Sequence, residues 1–123
     1  MMSDILHEDE LCQFINEFAE DQCSLELIQF WGRHPHTRFS RLALIHAFDR
    51  RRSEIERALR RLVDKGLVKT STGNGVTFYW LTETKPLRTL VLRLTELDWP
   101  RWQLLLKEIY LRDSSDLLLT THP

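Results

Sequence analysis

Arginine is the residue type in this sequence with the most chemistry to offer, and it is concentrated in one third of the chain. Residues 33–69 hold eleven bases (Arg33, Arg38, Arg41, Arg50, Arg51, Arg52, Arg57, Arg60, Arg61, Lys65 and Lys69) against four acids (Asp49, Glu54, Glu56 and Asp64). Residues 1–32 hold eight acids and no lysine or arginine, and residues 70–123 hold six of each sign. The three parts carry −8, +7 and 0, which sum to the −1 of the whole chain. A guanidinium grips phosphate and pairs bidentately with guanine. A basic third inside a near-neutral chain is therefore the footprint expected of a polyanion-binding face. The competing reading is that the acidic and basic segments neutralise each other within the fold.

Other chemistries find less support. His34 and His36 flank Pro35, with His46 and Cys23 further off, but no C-x-x-C and no helical H-x-x-x-H pair accompanies them. Gly73-Asn74-Gly75 has the look of a turn rather than a phosphate loop, and no G-x-S-x-G element is present. The expectation is a protein that is not an enzyme and takes no cofactor or metal. Trp31, Trp80, Trp99 and Trp102 either line a ligand pocket or pack a core or dimer interface, and packing is the reading taken. Cys12 and Cys23 read as buried thiols. Apolar runs reach only three or four residues, so no transmembrane helix is expected. The acidic start, Met1-Met2-Ser3-Asp4, lacks a secretory pattern, which suggests a cytoplasmic protein. At 123 residues the chain is read as a single domain, 1–123.

The arginines need elements to position them. Ile55, Leu59 and Leu62 recur at helical spacing, widened by Ala58 and Val63, while Arg50, Ser53, Arg57, Arg60, Arg61 and Asp64 fall on the opposite face. Either Asp49 or Ser53, the latter with Glu56 in an S-x-x-E box, caps this helix. Gly66 ends it, and Leu67-Val68 opens something extended. Upstream, Leu11, Phe14, Ile15 and Phe18 predict an amphipathic helix over 8–20 with an acidic outer face. Ser24 is the expected N-cap of a helix over 25–32 that Gly32 terminates, with His34-Pro35 forbidding continuation. Thr37-Arg38-Phe39 predicts a short strand, and Ser40 caps a helix over 41–48. Downstream, Leu67–Thr70 and Val76–Leu81 read as two strands joined by a turn containing Asn74-Gly75. Thr84 and Pro86 open a further segment whose Leu87, Leu90, Val91, Leu94 and Leu97 have helical spacing. Leu90, Leu92 and Leu94 also alternate as a strand would, and the helix is the reading taken. Asp98 starts a last helix, 99–112, with Trp102, Leu105, Leu106 and Ile109 on one face and Leu104 and Leu111 on another. Leu117-Leu118-Leu119 is either an arm on a partner or a loose end.

Residues 24–84 resemble a winged helix-turn-helix domain in the manner of MarR-like and related bacterial regulators. The residues that carry the likeness are Leu44-Ile45, then Ile55, Leu59 and Leu62, the exit Lys65-Gly66-Leu67-Val68, and the hairpin from Thr70 to Trp80 with Tyr79-Trp80-Leu81-Thr82-Glu83 leading out of it. The fold so implied is mainly α with a small β-hairpin (α+β), a winged helix core over 24–84. Around it stand an acidic N-terminal helix over 5–21 and C-terminal helices over 85–112 that serve dimerisation. The function so implied is a homodimeric transcriptional regulator that reads double-stranded DNA with the helix 51–65, its effector unidentified and no membrane involved. The resemblance implies Arg51, Arg52, Ser53 and Arg57 at or near the major groove. It implies Arg38, Arg41, Arg60 and Arg61 on phosphates and Asn74 at a minor groove, and Arg50 shares the outward face. Glu54 and Glu56 would repel phosphate unless they pair with Arg57 or Arg60. The alternative is a winged helix whose arginine face docks an acidic protein partner.

Overall fold

The computed structural model describes residues 2–97, 100–104 and 107, with side chains from residue 10 onward. Helices α1 (Met2–Phe18) and α2 (Gln22–Arg33) are followed by strand β1 (Phe39–Ser40), helices α3 (Arg41–Ala47) and α4 (Arg52–Asp64), strands β2 (Val68–Gly73) and β3 (Val76–Leu81), and helix α5 (Lys85–Glu96). The three strands form an antiparallel sheet in the order β1-β3-β2. Two short helices joined by a turn, then a hairpin whose second strand also pairs with a short strand before them, is the order of a winged helix. Residues 88–97, which by sequence could be helix or strand, belong to α5 as far as Glu96, with Thr84 at its N-cap, Pro86 in its first turn and Leu97 at its C-cap.

One apolar cluster gathers side chains from α1 to β3 and α5. Leu27, Ile28 and Trp31 of α2, Leu44 of α3, Ile55, Ala58, Leu59 and Leu62 of α4, and Val91 and Leu94 of α5 all lie at its centre. Burying one such leucine or isoleucine contributes about 1.5–3 kcal/mol. Phe30 bridges Phe39 and Phe48, tying α2 to both sides of α3. Trp102 is buried on the same cluster, whereas Leu104 stays exposed, so residues 100–104 show apolar side chains on two faces. Trp99, Leu105, Leu106, Ile109, Leu111 and the tail around Leu117 lie outside the described residues.

Several element boundaries differ from the sequence expectations. Asp21, not Ser24, caps α2: its carboxylate accepts from the Ser24 amide at 2.7 Å, and the Ser24 side chain is buried among the helices. The first strand is Phe39–Ser40 rather than 37–39. Neither Asp49 nor Ser53 caps α4, whose N-cap position is taken by Arg51 without a side-chain hydrogen bond. Gly32 does not end its helix either. It lies buried inside α2 where α5 crosses, and a Cβ there would collide with Thr95 Oγ1 and lie 3.0 Å from Thr95 Cβ. The glycine is needed for close approach, and the helix ends one residue later before His34-Pro35.

The exit of α4 matches expectation and has a defined geometry. Gly66 adopts φ +80°, its amide donates to Val63 O, and Leu67 N donates to Leu62 O, both at 3.0 Å. This is a Schellman cap, and its two flanking leucines, Leu62 and Leu67, are both fully buried. The cap aims the chain straight into β2. At the hairpin tip, Asn74 and Gly75 have φ of 53° and 78° between the paired residues Gly73 and Val76. That is the two-residue type I′ turn that Asn-Gly favours.

The two glycines separate two costs. Gly66→Ala meets no neighbouring atom and is expected to lose about 1 kcal/mol through backbone strain alone, with Gly66→Asn losing less. Gly32→Ala, which overpacks the α2–α5 crossing, is expected to lose about 1–3 kcal/mol. Urea denaturation of the three variants beside the parent chain measures both.

Candidate nucleic-acid interface

Helix α4 presents three surfaces besides its buried stripe. On one flank its cations meet the acids of the α1–α2 corner. Arg50, in the turn before α4, donates from Nη2 and Nε to the two carboxylate oxygens of Glu26, at 2.6 and 3.0 Å, and from Nη1 to Glu54 at 3.1 Å. Arg61 pairs with Asp21 at 3.0 Å and Glu20 at 3.4 Å. The Lys65 ammonium reaches both Glu20 and the carbonyl of Glu17. Asp21 thus caps α2 with one oxygen and holds Arg61 with the other. Among the described residues, the acidic and basic thirds neutralise each other along this flank.

On the opposite flank α4 faces the hairpin. Arg52 pairs with Glu56 one turn on, at 2.8 Å. The Arg41 guanidinium donates to the hydroxyl of the buried Tyr79 at 3.1 and 3.3 Å, a bond that raises its already high pKa. Between them lies an open cleft of about 240 Å³ lined by Arg41, Glu56, Arg60, Thr70 and Tyr79. Two guanidiniums and two hydroxyls converge here, with one carboxylate held by Arg52.

The stripe between the flanks carries Ser53, Arg57, Arg60 and Asp64, all exposed. Among the described residues no acid lies within ion-pair distance of Arg51, Arg57, Arg60 or Lys69. The glutamates of α4 turn out to pair with Arg50 and Arg52, so Arg57 and Arg60 keep their donors.

The ten candidate residues therefore separate. Ser53, Arg57 and Arg60 share the outward stripe, with Arg51 exposed at its N-terminal end and Arg52 beside it on the hairpin side. Arg41 sits at the foot of the hairpin. Arg38 lies apart, its guanidinium 4.2 Å above the ring of Trp80 on the other face of the sheet. Arg50 and Arg61 are turned toward acids of α2 and the corner before it. Asn74 occupies the exposed tip, where its positive φ serves the turn, and no cation accompanies it between Thr70 and Trp80. Tyr79, Glu20, Asp21 and Glu26 also shape this surface. Each lies 24 to 45 residues from its arginine or lysine partner, so no local pattern announced them.

Among the described residues no three histidine, cysteine or acidic side chains converge as a metal site. His36 Nδ1 is 2.9 Å from Arg88, and His34 packs on Phe30. Cys12 and Cys23 are buried and unlinked, and burial pushes the Cys23 thiol up to about 11. Trp31 is buried in the core, edge-on to Phe39, and Trp80 lies in β3 of the sheet. Among the described residues no helix is long and apolar enough to cross a membrane.

No protein-family model and no curated protein matches the sequence. Among solved structures, the crystal structure of the adhesin competence repressor (AdcR) from Streptococcus pyogenes is similar over 94% of this chain and 97% of that one, with a TM-score of 0.47 and 16% identity. The winged helix assignment rests on the element order and strand register above.

The acidic corner makes a pH-dependent contribution of definite sign. Its hydrogen bond with Lys65 holds the Glu20 carboxyl below the usual carboxylate value of 4.5. A carboxylate whose folded pKa is depressed stabilises the fold above its unfolded pKa and loses that stabilisation as pH falls through the folded value. Thermal midpoints are expected to be flat above about pH 5 and to fall below it. Glu20→Gln is expected to start lower at neutral pH and to fall less steeply in acid.

Proposed function

We propose that this protein is a DNA-binding transcriptional regulator that lays α4 in the major groove of a duplex. The observation that carries the reading is the distribution of free charge on α4. Its glutamates are matched to Arg50 and Arg52, and its flank cations to the α1–α2 corner. The exposed stripe of Ser53, Arg57 and Arg60 keeps unpaired donors. Arginine on such a stripe supplies bidentate contacts to guanine or grips on phosphate. Arg51 and Arg52, at the uncapped start of α4, add positive charge where the helix dipole already favours an anion. The cleft formed by Arg41, Arg60 and Tyr79 is suited to one backbone phosphate.

In this reading the protein acts as a homodimer in the cytoplasm, with two copies of α4 in successive major grooves about 34 Å apart. The exposed Leu104 beside the buried Trp102 supports an apolar contact beyond the chain's own core. The wing tip lacks a lysine or arginine, so affinity rests on α4 and its approaches rather than on a minor-groove contact. Arg50 and Arg61 are left out of the proposed contact set because acids already occupy them.

A second reading has one observation in its favour. The flank of α4 already docks acidic side chains from the α1–α2 corner, and Asp64 stands on the outward stripe. A winged helix that binds an acidic protein partner would use the same chemistry.

Arg57→Ala with Arg60→Ala is expected to weaken duplex binding by about two orders of magnitude or more, with the thermal midpoint almost unchanged because both side chains are exposed. Arg61→Ala is expected to change it by less than about ten-fold. Fluorescence anisotropy on duplex DNA at two salt concentrations measures both. Equal affinity for the double variant and the parent chain would sink the regulator reading.

A further inference from the structure

We infer that the solvent face of the wing sheet is a second nucleic-acid surface, one that takes unpaired nucleotides by stacking. The pleat of β3 turns Thr77, Tyr79 and Leu81 toward the core and Val76, Phe78 and Trp80 away from it. Phe78 remains 40% exposed, Val76 42%, and Leu42 at the start of α3 58%. These are three of the four large apolar side chains left exposed among the described residues, and all three border the wing. Scattered exposed apolar residues are ordinary, but a cluster of them marks a binding surface.

The surroundings of this stripe select the occupant. Phe78 is flanked across the sheet by Ser40 and Ser71, side chains too short to cover a ring. Trp80 is opposite Lys69 and carries the Arg38 guanidinium stacked at 4.2 Å. Residues 33–48 and 65–82 contain no aspartate or glutamate, so the strands themselves and the segment leading into them carry only positive charge. Glu56 lines the cleft with Tyr79 on the other side of the hairpin and is paired with Arg52. Planar apolar groups set among cations match nucleobases joined by phosphates. Bases stack on aromatic rings and equally on arginine planes, here offered by Phe78 and by Arg38 on its tryptophan. Side chains two apart on one strand stand about 6.6–6.8 Å from each other, roughly two base steps of 3.4 Å. Adjacent splayed nucleotides can therefore reach both platforms.

Other occupants fit less well. A second copy of the same face would set Arg38 and Lys69 against their own kind, and like charges across an interface are repelled. An amphipathic helix needs a groove, whereas this stripe is one strand wide and bordered by hydroxyls. The surface shares no residue with the outward stripe of α4, so it stands whether or not α4 reads duplex DNA. A groove of about 270 Å³ lined by Ser40, Leu42, Val76 and Arg52 runs from it toward the start of α4, which gives a single strand a continuous path between them.

The test uses the full chain and a short fluorescent oligothymidylate, with anisotropy read at low and at moderate salt. The parent chain is expected to bind it. Phe78→Ala is expected to weaken binding on the order of ten-fold, and Phe78→Trp to keep it. Arg38→Lys, which keeps the charge and loses the plane, is expected to fall between the parent chain and Arg38→Ala. Phe78→Ala should leave duplex binding unchanged, and Arg57→Ala should leave oligothymidylate binding unchanged. Because Arg38 precedes β1 while Phe78 lies on β3, and both are exposed, the Arg38 series answers the question even if the Phe78 variant misfolds. Oligothymidylate binding indifferent to both series overturns the inference. So does a parent chain that ignores the oligonucleotide yet binds an acidic amphipathic peptide through Phe78. A Phe78→Ala variant that changes only the sedimentation of the protein would show self-association instead.

Discussion

A helix can give only one stripe to a core, and α4 gives Ile55, Ala58, Leu59 and Leu62. Everything else about this molecule follows from how the three remaining sides of that helix are occupied. The buried stripe sets its roll angle against α2 and α3. The Schellman turn at Gly66 sets where the chain leaves, and Leu67 returns at once to the core beside Leu62. β2 therefore starts under the C-terminus of α4, and the hairpin must rise along one flank. The other flank then falls beside the α1–α2 corner, which is where the acids of the first third are spent.

Individually these ion pairs are worth little, since exposed pairs contribute about 0–1 kcal/mol each. Their consequence is positional. Arg50 meets two carboxylates and Asp21 serves a helix cap and Arg61 together, so both cations already have acidic partners within the fold. A sequence with eleven bases in 37 positions thus shows a much smaller set of unpaired donors at its surface. Burial has the opposite effect on Tyr79, whose hydroxyl emerges from the core to steady Arg41 at the rim of the cleft.

The parts of this arrangement that were legible in the sequence are those governed by short-range rules. Helical spacing, the Gly66 exit and the Asn-Gly turn each depend on a few adjacent residues, and all three appear where those rules place them. The caps were less legible, because Ser24 and Asp21 both have capping chemistry and only burial of the serine separates them. Gly32 misled for a related reason: a glycine near a helix end satisfies the rule for a terminator and the rule for a close crossing alike. Which arginines are spent was not legible, since Glu26 and Arg50 are 24 residues apart and meet only after α2 and α4 have packed. The aromatic stripe was hidden in plain alternation, as Val76, Phe78 and Trp80 read equally well as the inner face of the strand.

The crossing at Gly32 has a mechanical meaning. With no side chain between the helices, the α2 backbone lies against Thr95 and the Val91 carbonyl of α5, and nothing compressible separates them. Such a joint has no slack, so a displacement of α5 carries α2 with it. Glu26, six residues along α2, grips Arg50 in the turn that launches α4. Because α2 also packs on α4 through the shared core, the three helices α5, α2 and α4 form a connected series of close contacts.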